Sequence, residues 1–173
     1  LDNVKKAFTK KTKAVLMVHT YGLSAEAEEI EKFCLENSIY LIEDASEAHG
    51  QLYNGRKCGS FGDISTLSFY ANKNMTSGEG GALLLNSLEN SEKLKKMRNL
   101  DFSNTNRFKH KHLYWNYRLS GLQATLGRSQ LNSLELNIKN KIKQARVYDK
   151  LFLNYKDLVQ VPRDNFLDVT NHY

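Results

Sequence analysis

Two polar stretches that follow predicted strands carry side chains able to do chemistry. Asp44 belongs to the polar stretch 43–50 that comes directly after the apolar run 39–42, and Lys73 lies on a loop that runs into the glycine-rich stretch 76–81. Open α/β sheets bind ligands at the carboxyl ends of their strands, so we expect both loops at one edge of a sheet. A carboxylate and an amine placed there can form a simple ion pair or act together on a ligand. The residues alone leave both interpretations open.

Two other kinds of site are disfavoured by spacing. Asp44, Glu47 and His49 share one short loop, and their spacing does not recur among metal ligands, so we predict no metal site. The stretch 78–81 lacks the Gly-Lys-Ser/Thr ending of a nucleoside-triphosphate loop. A further polar cluster, 115–118, precedes a long helical region and is a third candidate ligand-binding loop.

The elements that must position these loops follow from the apolar pattern. The continuous apolar run 13–18 predicts a strand covered on both faces, and 39–42 predicts a second one. Between them we predict a helix over 25–37, with Ser24 as its N-cap. Its buried stripe is predicted to be Ile30, Phe33, Cys34 and Leu35. Strand, helix and strand at this spacing indicate a βαβ unit with parallel strands and a right-handed crossover.

The rest of the chain predicts a hairpin, two strands and several helices. Asn54-Gly55 favours a two-residue hairpin turn between 51–53 and 56–58. Apolar residues at helical spacing after residue 119 predict one long helix or two in series, with a stripe that serves as core and subunit contact. The remaining predicted elements are strands over 64–69 and 82–85, a helix over 89–100, an irregular loop over 101–117 and an exit from the helices at Pro162.

Composition limits the class of protein. The 173 residues are 40% hydrophobic and 25% charged, which suits one globular unit, and the start at Leu1 predicts a chain clipped at its ends. The net charge is +6, but no basic run alternates with stacking aromatics, so we predict no nucleic-acid binding. We interpret the charge as a solvated basic face, and a positive field would also favour the binding of anionic small molecules such as nucleotide sugars.

The cysteines and the hydropathy bear on location. Cys34 and Cys58 form no Cys-x-x-Cys pair and no secretory signal is visible, which predicts a reducing, cytoplasmic setting. No apolar run approaches the roughly 20 residues that cross a bilayer, so we predict no membrane association.

A set of ordered motifs resembles a known family. The motifs are Ile42-Glu43-Asp44-Ala45, Gly59-Ser60-Phe61-Gly62-Asp63, Ser68-Phe69-Tyr70, Asn72-Lys73, Thr76-Ser77-Gly78-Glu79-Gly80-Gly81 and Asn116-Tyr117-Arg118. In this order they resemble the DegT/DnrJ/EryC1/StrS family of sugar aminotransferases, over nearly the whole chain. The resemblance implies an α/β fold: a three-layer α/β/α sandwich, the large domain of a fold-type I pyridoxal phosphate (PLP) enzyme, truncated at both ends. It implies three parts: 1–118 in the PLP-binding domain, 119–161 as a helical link and 162–173 opening the small domain.

The resemblance also implies a role for individual side chains. Lys73 would hold PLP as a Schiff base and then carry a proton, and Asp44 would pair with the pyridine nitrogen. Ser68 would bind the cofactor phosphate, and Glu47 would lie near the ring hydroxyl. Asn116 would reach the phosphate of the neighbouring subunit's cofactor, which implies a homodimer with shared active sites. For His49, Trp115 and Tyr117 we expect structural roles.

The activity implied is transfer of an amino group, from glutamate, to a nucleotide-linked 4-keto-6-deoxy sugar. Alternatives are a UDP- or dTDP-linked keto sugar as substrate, a sugar dehydratase, and a non-catalytic regulatory protein of the same fold. A histidine replaces the lysine in such dehydratases, so Lys73 argues against that reading, and the presence of both Asp44 and Lys73 favours catalysis over regulation. The chain by itself is expected to be inactive, because the family's upstream phosphate loop and C-terminal domain are not in it. Tyr114 also departs from the family, which has glycine there.

Overall fold

The computed structural model of the protein describes residues 1–102 and 108–160. Its helices are α1 (Asp2–Ala7), α2 (Ala27–Glu36), α3 (Leu88–Arg98), α4 (Gly121–Leu131) and α5 (Leu134–Phe152). Its strands are β1 (Ala14–Val18), β2 (Tyr40–Asp44), β3 (Leu52–Tyr53), β4 (Arg56–Lys57), β5 (Ile64–Ser68) and β6 (Gly81–Leu85). Single 3₁₀ turns cover Thr20–Gly22 and Leu153–Tyr155.

Four strands form one mixed sheet in the order β1-β2-β5-β6. β1 pairs with β2 and β2 with β5 in parallel, whereas β6 pairs with β5 in antiparallel orientation. The predicted βαβ unit with parallel strands is therefore confirmed. Since β1, β2 and β5 run the same way, their carboxyl ends and the loops that follow them lie at one edge of the sheet.

Helix α2 covers one face of this sheet. Its Ile30 and Cys34 pack against Met17 of β1 and Leu41 of β2 in a buried cluster. At roughly 25 cal/mol per Å² of buried apolar area, such contacts are the main stabilising term of the unit. Leu35 was predicted to join the stripe, but its side chain is 80% exposed because it lies on the opposite side of α2.

The prediction that β1 is covered on both faces is wrong for the described residues. Successive side chains of a strand point to opposite faces, and α2 covers only one of them. Met17 is therefore buried, while Leu16 and Val18 on the other face are 63% and 47% exposed. A continuous apolar run predicts the strand correctly but does not show which elements cover it.

Two predicted boundaries also differ from the structure. The hydroxyl of Ser24 donates to the carbonyl of Ala25 instead of capping a helix, and α2 begins at Ala27 with Glu26 as N-cap. The strand predicted over 39–42 extends through Asp44, because Asp44 still pairs with Val18 and Thr66. The candidate acid is thus the last residue of β2 and belongs to the rigid sheet.

The hairpin and the helical region follow the prediction in outline. Asn54 and Gly55 both have positive φ, +48° and +79°, as the primed turn between β3 and β4 requires. Two helices in series, α4 and α5, follow residue 119. Their apolar stripe is not core within the described residues, since Leu122 is 85% and Tyr148 61% exposed.

The two ends of the chain and the hydropathy of the helices complete the description of the fold. Helix α1 was not predicted from the sequence, and the segment 162–173 lies outside the described residues. Among the helices that the structure describes, none combines the length and hydropathy needed to cross a bilayer.

The loop at Gly62 gives a test of the packing. A Cβ at Gly62 would lie 2.6 Å from the carbonyl oxygen of Ile64 and 2.9 Å from the Cβ of Glu43. We expect Gly62→Ala to lower the free energy of unfolding by about 1–3 kcal/mol, because neither the backbone at Ile64 nor strand β2 at Glu43 can move away without losing hydrogen bonds. Urea unfolding of the intact gene product measures it.

Gly121→Ala is the matched control, since a Cβ at Gly121 in α4 meets nothing within 4 Å. It is expected to leave stability unchanged or raise it by up to about 1 kcal/mol. Equal effects of the two substitutions would contradict the proposed packing at Gly62.

Candidate active site

Asp44 ends β2 with a half-buried carboxylate that is held ionised. Its Oδ1 accepts hydrogen bonds from the backbone N–H of Ser46, at 3.0 Å, and from the hydroxyl of Thr66 on β5, at 3.1 Å. Burial alone would raise the pKa of Asp44, but the hydrogen bonds from Ser46 and Thr66 outweigh it and hold the pKa below its ordinary value. The side chain therefore offers a fixed negative charge at the edge of the sheet.

Lys73 and Glu47 form an ion pair at the same edge. Their Nζ and Oε1 atoms lie 3.5 Å apart, and the Lys73 side chain is only 10% exposed. The other carboxylate oxygen of Glu47 accepts from the backbone N–H of Tyr21, at 2.7 Å. Tyr21 has φ +53°, in the left-handed region that a tyrosine rarely adopts. Glu47 thus links the loops that follow β1, β2 and β5.

Ser68 is the last residue of β5, and its Oγ accepts from the backbone N–H of Tyr70, at 3.3 Å. Because β2 and β5 are parallel neighbours, Ser68 and Asp44 lie at the same end of adjacent strands. The loop that carries Lys73 is held against α4, where the side-chain oxygen of Gln130 accepts from the N–H of Thr76, at 3.1 Å. The loop is therefore fixed at both its strand end and its glycine-rich end.

A cavity of about 310 Å³ adjoins the Lys73 loop. Its walls are almost wholly polar: Asn72, Lys73, Asn74, Gln130, Asn137, Asn140, Lys141 and Gln144. A larger open cavity of about 460 Å³ lies elsewhere, between strand β6 and the loop 59–62. Lys73 lines the smaller cavity and not the larger one, while Asp44, Glu47 and Ser68 line neither.

The described contacts of Asn116 involve none of the other four predicted site residues. It forms a single bridge with Asn99, and its side-chain oxygen accepts from the backbone N–H and the Nε of Arg118, at 3.2 and 3.0 Å. The structure thus joins Glu47 to Lys73, places Asp44 and Ser68 at the same edge of the sheet, and shows no contact from Asn116 to any of them among the described residues.

Glu43, which sequence reasoning did not single out, is the most highly coordinated side chain near this edge. It is fully buried, and its two oxygens accept five hydrogen bonds. The donors are His19 Nε2 (2.8 Å), the N–H groups of Gly59 (2.5 Å), Phe61 (2.8 Å) and Gly62 (2.9 Å), and Ser65 Oγ (2.8 Å). Burial opposes the charge, but these hydrogen bonds lower the pKa of Glu43 to about 2. Its position two residues after the buried Leu41, on the same face of β2, is the signal that sequence analysis could have used.

His19, Glu43 and Cys58 bring possible metal-ligand atoms within 4.8 Å of one another. The Nδ1 of His19 lies 3.2 Å from the backbone N of Ala25, and its Nε2 lies 2.8 Å from Oε1 of Glu43, so both ring nitrogens already have partners. Besides the hydrogen bond from His19, the Glu43 carboxylate accepts four others, from Gly59, Phe61, Gly62 and Ser65. The cluster is therefore assigned a structural role.

Comparison with solved structures identifies the fold. The chain superposes on PseC of Helicobacter pylori, an aminotransferase of pseudaminic acid biosynthesis, with a TM-score of 0.84 and 30% identity. The match covers 98% of this chain and 46% of PseC. The fold is thus that of the sugar aminotransferases, and the predicted α/β class is confirmed.

Comparison of sequences identifies the family. The model of the DegT/DnrJ/EryC1/StrS aminotransferase family matches residues 1–172, and the chain belongs to that family. It is similar to GDP-perosamine synthase of Vibrio cholerae, with 40% identity over 148 residues, covering 86% of this chain and 40% of the relative. The same-named enzyme of Escherichia coli O157:H7 is 33% identical over 165 residues, covering 95% and 44%. The chain spans less than half of the length of these relatives.

The low pKa of Glu43 predicts a dependence of stability on pH. Its folded pKa of about 2 lies below the ordinary 4.5, so the stabilisation is complete above about pH 5 and is lost as the pH falls toward 2. We expect the difference in unfolding free energy between wild type and Glu43→Gln to shrink over that range by up to about 3 kcal/mol. Urea unfolding at a series of pH values measures it.

The control is Glu92→Gln, which changes an exposed carboxylate that pairs with Lys95 on α3. It should show little of this dependence, since water and salt screen an exposed ion pair. A wild type and a Glu43→Gln variant that lose stability in parallel on acidification would exclude the low pKa.

Proposed function

We propose that the protein of which this chain is a part is a PLP-dependent aminotransferase acting on a nucleotide-linked keto sugar. The observation that carries the proposal is the placement of Asp44, Lys73 and Ser68 at one edge of the sheet, with Lys73 paired to Glu47 at 3.5 Å. Membership of a family of aminotransferases supports it.

The residues fit PLP in their chemistry. The Asp44 carboxylate is held ionised, as pairing with a protonated pyridine nitrogen requires. Lys73 presents a primary amine that is 90% shielded from solvent, next to an acid that can hold it in place. Ser68 offers a hydroxyl beside the N–H of Tyr70 at a strand end, where a phosphate can be bound.

When bound, PLP supplies an aldehyde that takes up the amino group and a ring that withdraws electrons from the reacting carbon. The chain's own residues hold and orient the cofactor and transfer protons. Asp44 keeps the positive charge on the ring nitrogen, and Lys73 first holds the cofactor and then moves a proton at the reacting carbon. Glu47 orients Lys73 and, through Tyr21, fixes the loop after β1.

For the substrate we infer a nucleotide-linked 4-keto-6-deoxy sugar, as in GDP-perosamine synthesis for surface polysaccharide, with glutamate as the amino donor. The relatives named GDP-perosamine synthase support this choice. The cavity next to Lys73 is lined by carboxamides and Lys141, groups that hydrogen-bond hydroxyls and attract phosphates. UDP- and dTDP-linked sugars are the alternatives, because these groups do not discriminate between bases.

We infer that the chain is divided into three parts and that the intact protein forms a homodimer. Residues 1–118 would belong to the PLP-binding domain, 119–161 to a helical link and 162–173 to the start of the small domain. Asn116 makes no described contact with Lys73 or Asp44, which suits a residue that completes the neighbouring subunit's site. A cytoplasmic location is supported by the two cysteines, Cys34 and Cys58, which are both buried and free of disulfides.

The role of Lys73 is tested by the visible absorption band of the bound cofactor. In the intact gene product mixed with PLP, we expect Lys73→Ala to lose the band and to lower amino transfer at least 1,000-fold, because no other amine replaces it. Absorbance spectra and chromatography of the sugar product measure the two effects.

Lys73→Arg is the matched variant, since it keeps the positive charge beside Glu47 but cannot bond covalently to the aldehyde. It should behave like Lys73→Ala. A band that persists in either variant would remove Lys73 from its proposed role.

The shared site is tested by mixing two inactive variants. Lys73→Ala and Asn116→Ala subunits, unfolded together and refolded, should recover about a quarter of the wild-type activity if one site takes Lys73 and Asn116 from different subunits. The reason is that half of the dimers are hybrids with one intact site each. Each variant refolded alone is the control, and no recovery in the mixture would exclude a site shared in this way.

A further inference from the structure

The buried Glu43 is adjacent in sequence to Asp44 but faces the other side of the sheet, because successive residues of a strand point to opposite faces. It therefore cannot touch a ligand bound at Asp44. Its carboxylate nonetheless accepts five hydrogen bonds within one residue of the candidate acid. A role for Glu43 in the reaction must act through the position of its neighbour.

The partners of Glu43 are the groups that also surround Asp44. On one side His19, just after β1, donates its Nε2–H to Glu43 and its backbone N–H to the carbonyl of Asp44, at 3.1 Å. On the other side Ser65 of β5 donates to Glu43, and the next residue, Thr66, donates to the Asp44 carboxylate. The two acids thus share both neighbouring strands as supports.

The loop 59–62 makes the arrangement specific to a carboxylate. Three backbone N–H groups, those of Gly59, Phe61 and Gly62, point at Glu43. An amide in its place would turn an NH₂ group toward some of these donors and leave them buried without an acceptor. The geometry therefore requires an anion here, although a second negative charge next to Asp44 is electrostatically unfavourable.

We propose that Glu43 is a positioning residue for the proposed reaction: by joining the ends of β1 and β5 and the loop 59–62 to β2, it holds the Asp44 carboxylate in its hydrogen bonds with Thr66 and Ser46. Only the expected effect on cofactor binding rests on the proposed function. The positioning itself is a property of the protein without cofactor.

The test is Glu43→Gln in the intact gene product, with two measurements. The first is the pKa of the Asp44 carboxyl in cofactor-free protein, from ¹³C NMR of labelled aspartate. We expect it to rise by at least half a unit, because Asp44 loses optimal contact with Thr66 and Ser46. Loss of a neighbouring negative charge alone would lower it. The ring of His19, whose pKa burial lowers but hydrogen bonds to Cys58 and Glu43 raise to about 9, also lowers the Asp44 pKa, so loss of its positive charge would raise the Asp44 pKa. Ser65→Ala separates this effect from positioning, because Glu43 keeps its charge in that variant. The second measurement is PLP affinity by titration, which we expect to weaken at least 10-fold.

The control is Glu92→Gln, the same chemical change in an exposed carboxylate on α3 that pairs with Lys95 at 2.6 Å. It should change neither quantity. An Asp44 pKa that falls or stays constant in a folded Glu43→Gln protein would overturn the proposal, as would unchanged PLP affinity.

Ser65→Ala decides the matter if Glu43→Gln does not fold. It removes one donor to Glu43 and leaves the charge in place, so we expect a smaller rise in the Asp44 pKa and a two- to fivefold loss of PLP affinity. No change in either quantity would overturn the proposal. If the wild type itself binds no PLP, the proposed function fails, while the pKa of Asp44 still tests the positioning.

Discussion

The buried carboxylate of Glu43 is the interaction on which the rest of the site depends. An isolated charge in a protein interior is strongly unfavourable, and this one is tolerated because five donors surround it. Those donors come from the end of β1, from β5 and from the loop 59–62, so satisfying one charge fixes three segments at once. The close approach of Gly62 to Glu43 follows from the same requirement.

The carboxylates at this edge of the sheet have different environments and therefore different tasks. Glu43 is enclosed by five donors and joins three segments of the fold, whereas Asp44 is half-buried and accepts at Oδ1 from the N–H of Ser46 and the hydroxyl of Thr66. Glu47 contacts Lys73 and the backbone N–H of Tyr21.

Local signals in the sequence predicted local structure well. The Asn54-Gly55 pair predicted its hairpin because only residues that tolerate positive φ fit the turn, and the apolar runs predicted β1 and β2. The prediction that Ser24 caps α2 was wrong, because the Ser24 hydroxyl donates instead to a nearby backbone acceptor, the carbonyl of Ala25. Which face of the sheet is covered depends on distant segments, and no local pattern contains that information.

The candidate site was predicted only in part, because some of its contacts come from segments that are distant in the sequence. Asp44 and Lys73 were singled out as candidates because their residue types and motifs stand out near strand ends. Glu43 was missed because its partners are mostly backbone N–H groups 16 to 19 residues downstream, and a backbone group carries no mark in the sequence. The link from Glu47 to Tyr21 likewise runs to a backbone N–H and was not predicted.

The central claim is that one particular amine, that of Lys73, bonds covalently to PLP. The most direct measurement is to incubate the intact gene product with PLP, make the lysine–cofactor bond permanent with borohydride, and map the modified peptide by mass spectrometry. The account predicts a phosphopyridoxyl group on Lys73 alone, and its loss when excess sugar-nucleotide product is added before reduction. Modification of another lysine in its place, or of none, would contradict it.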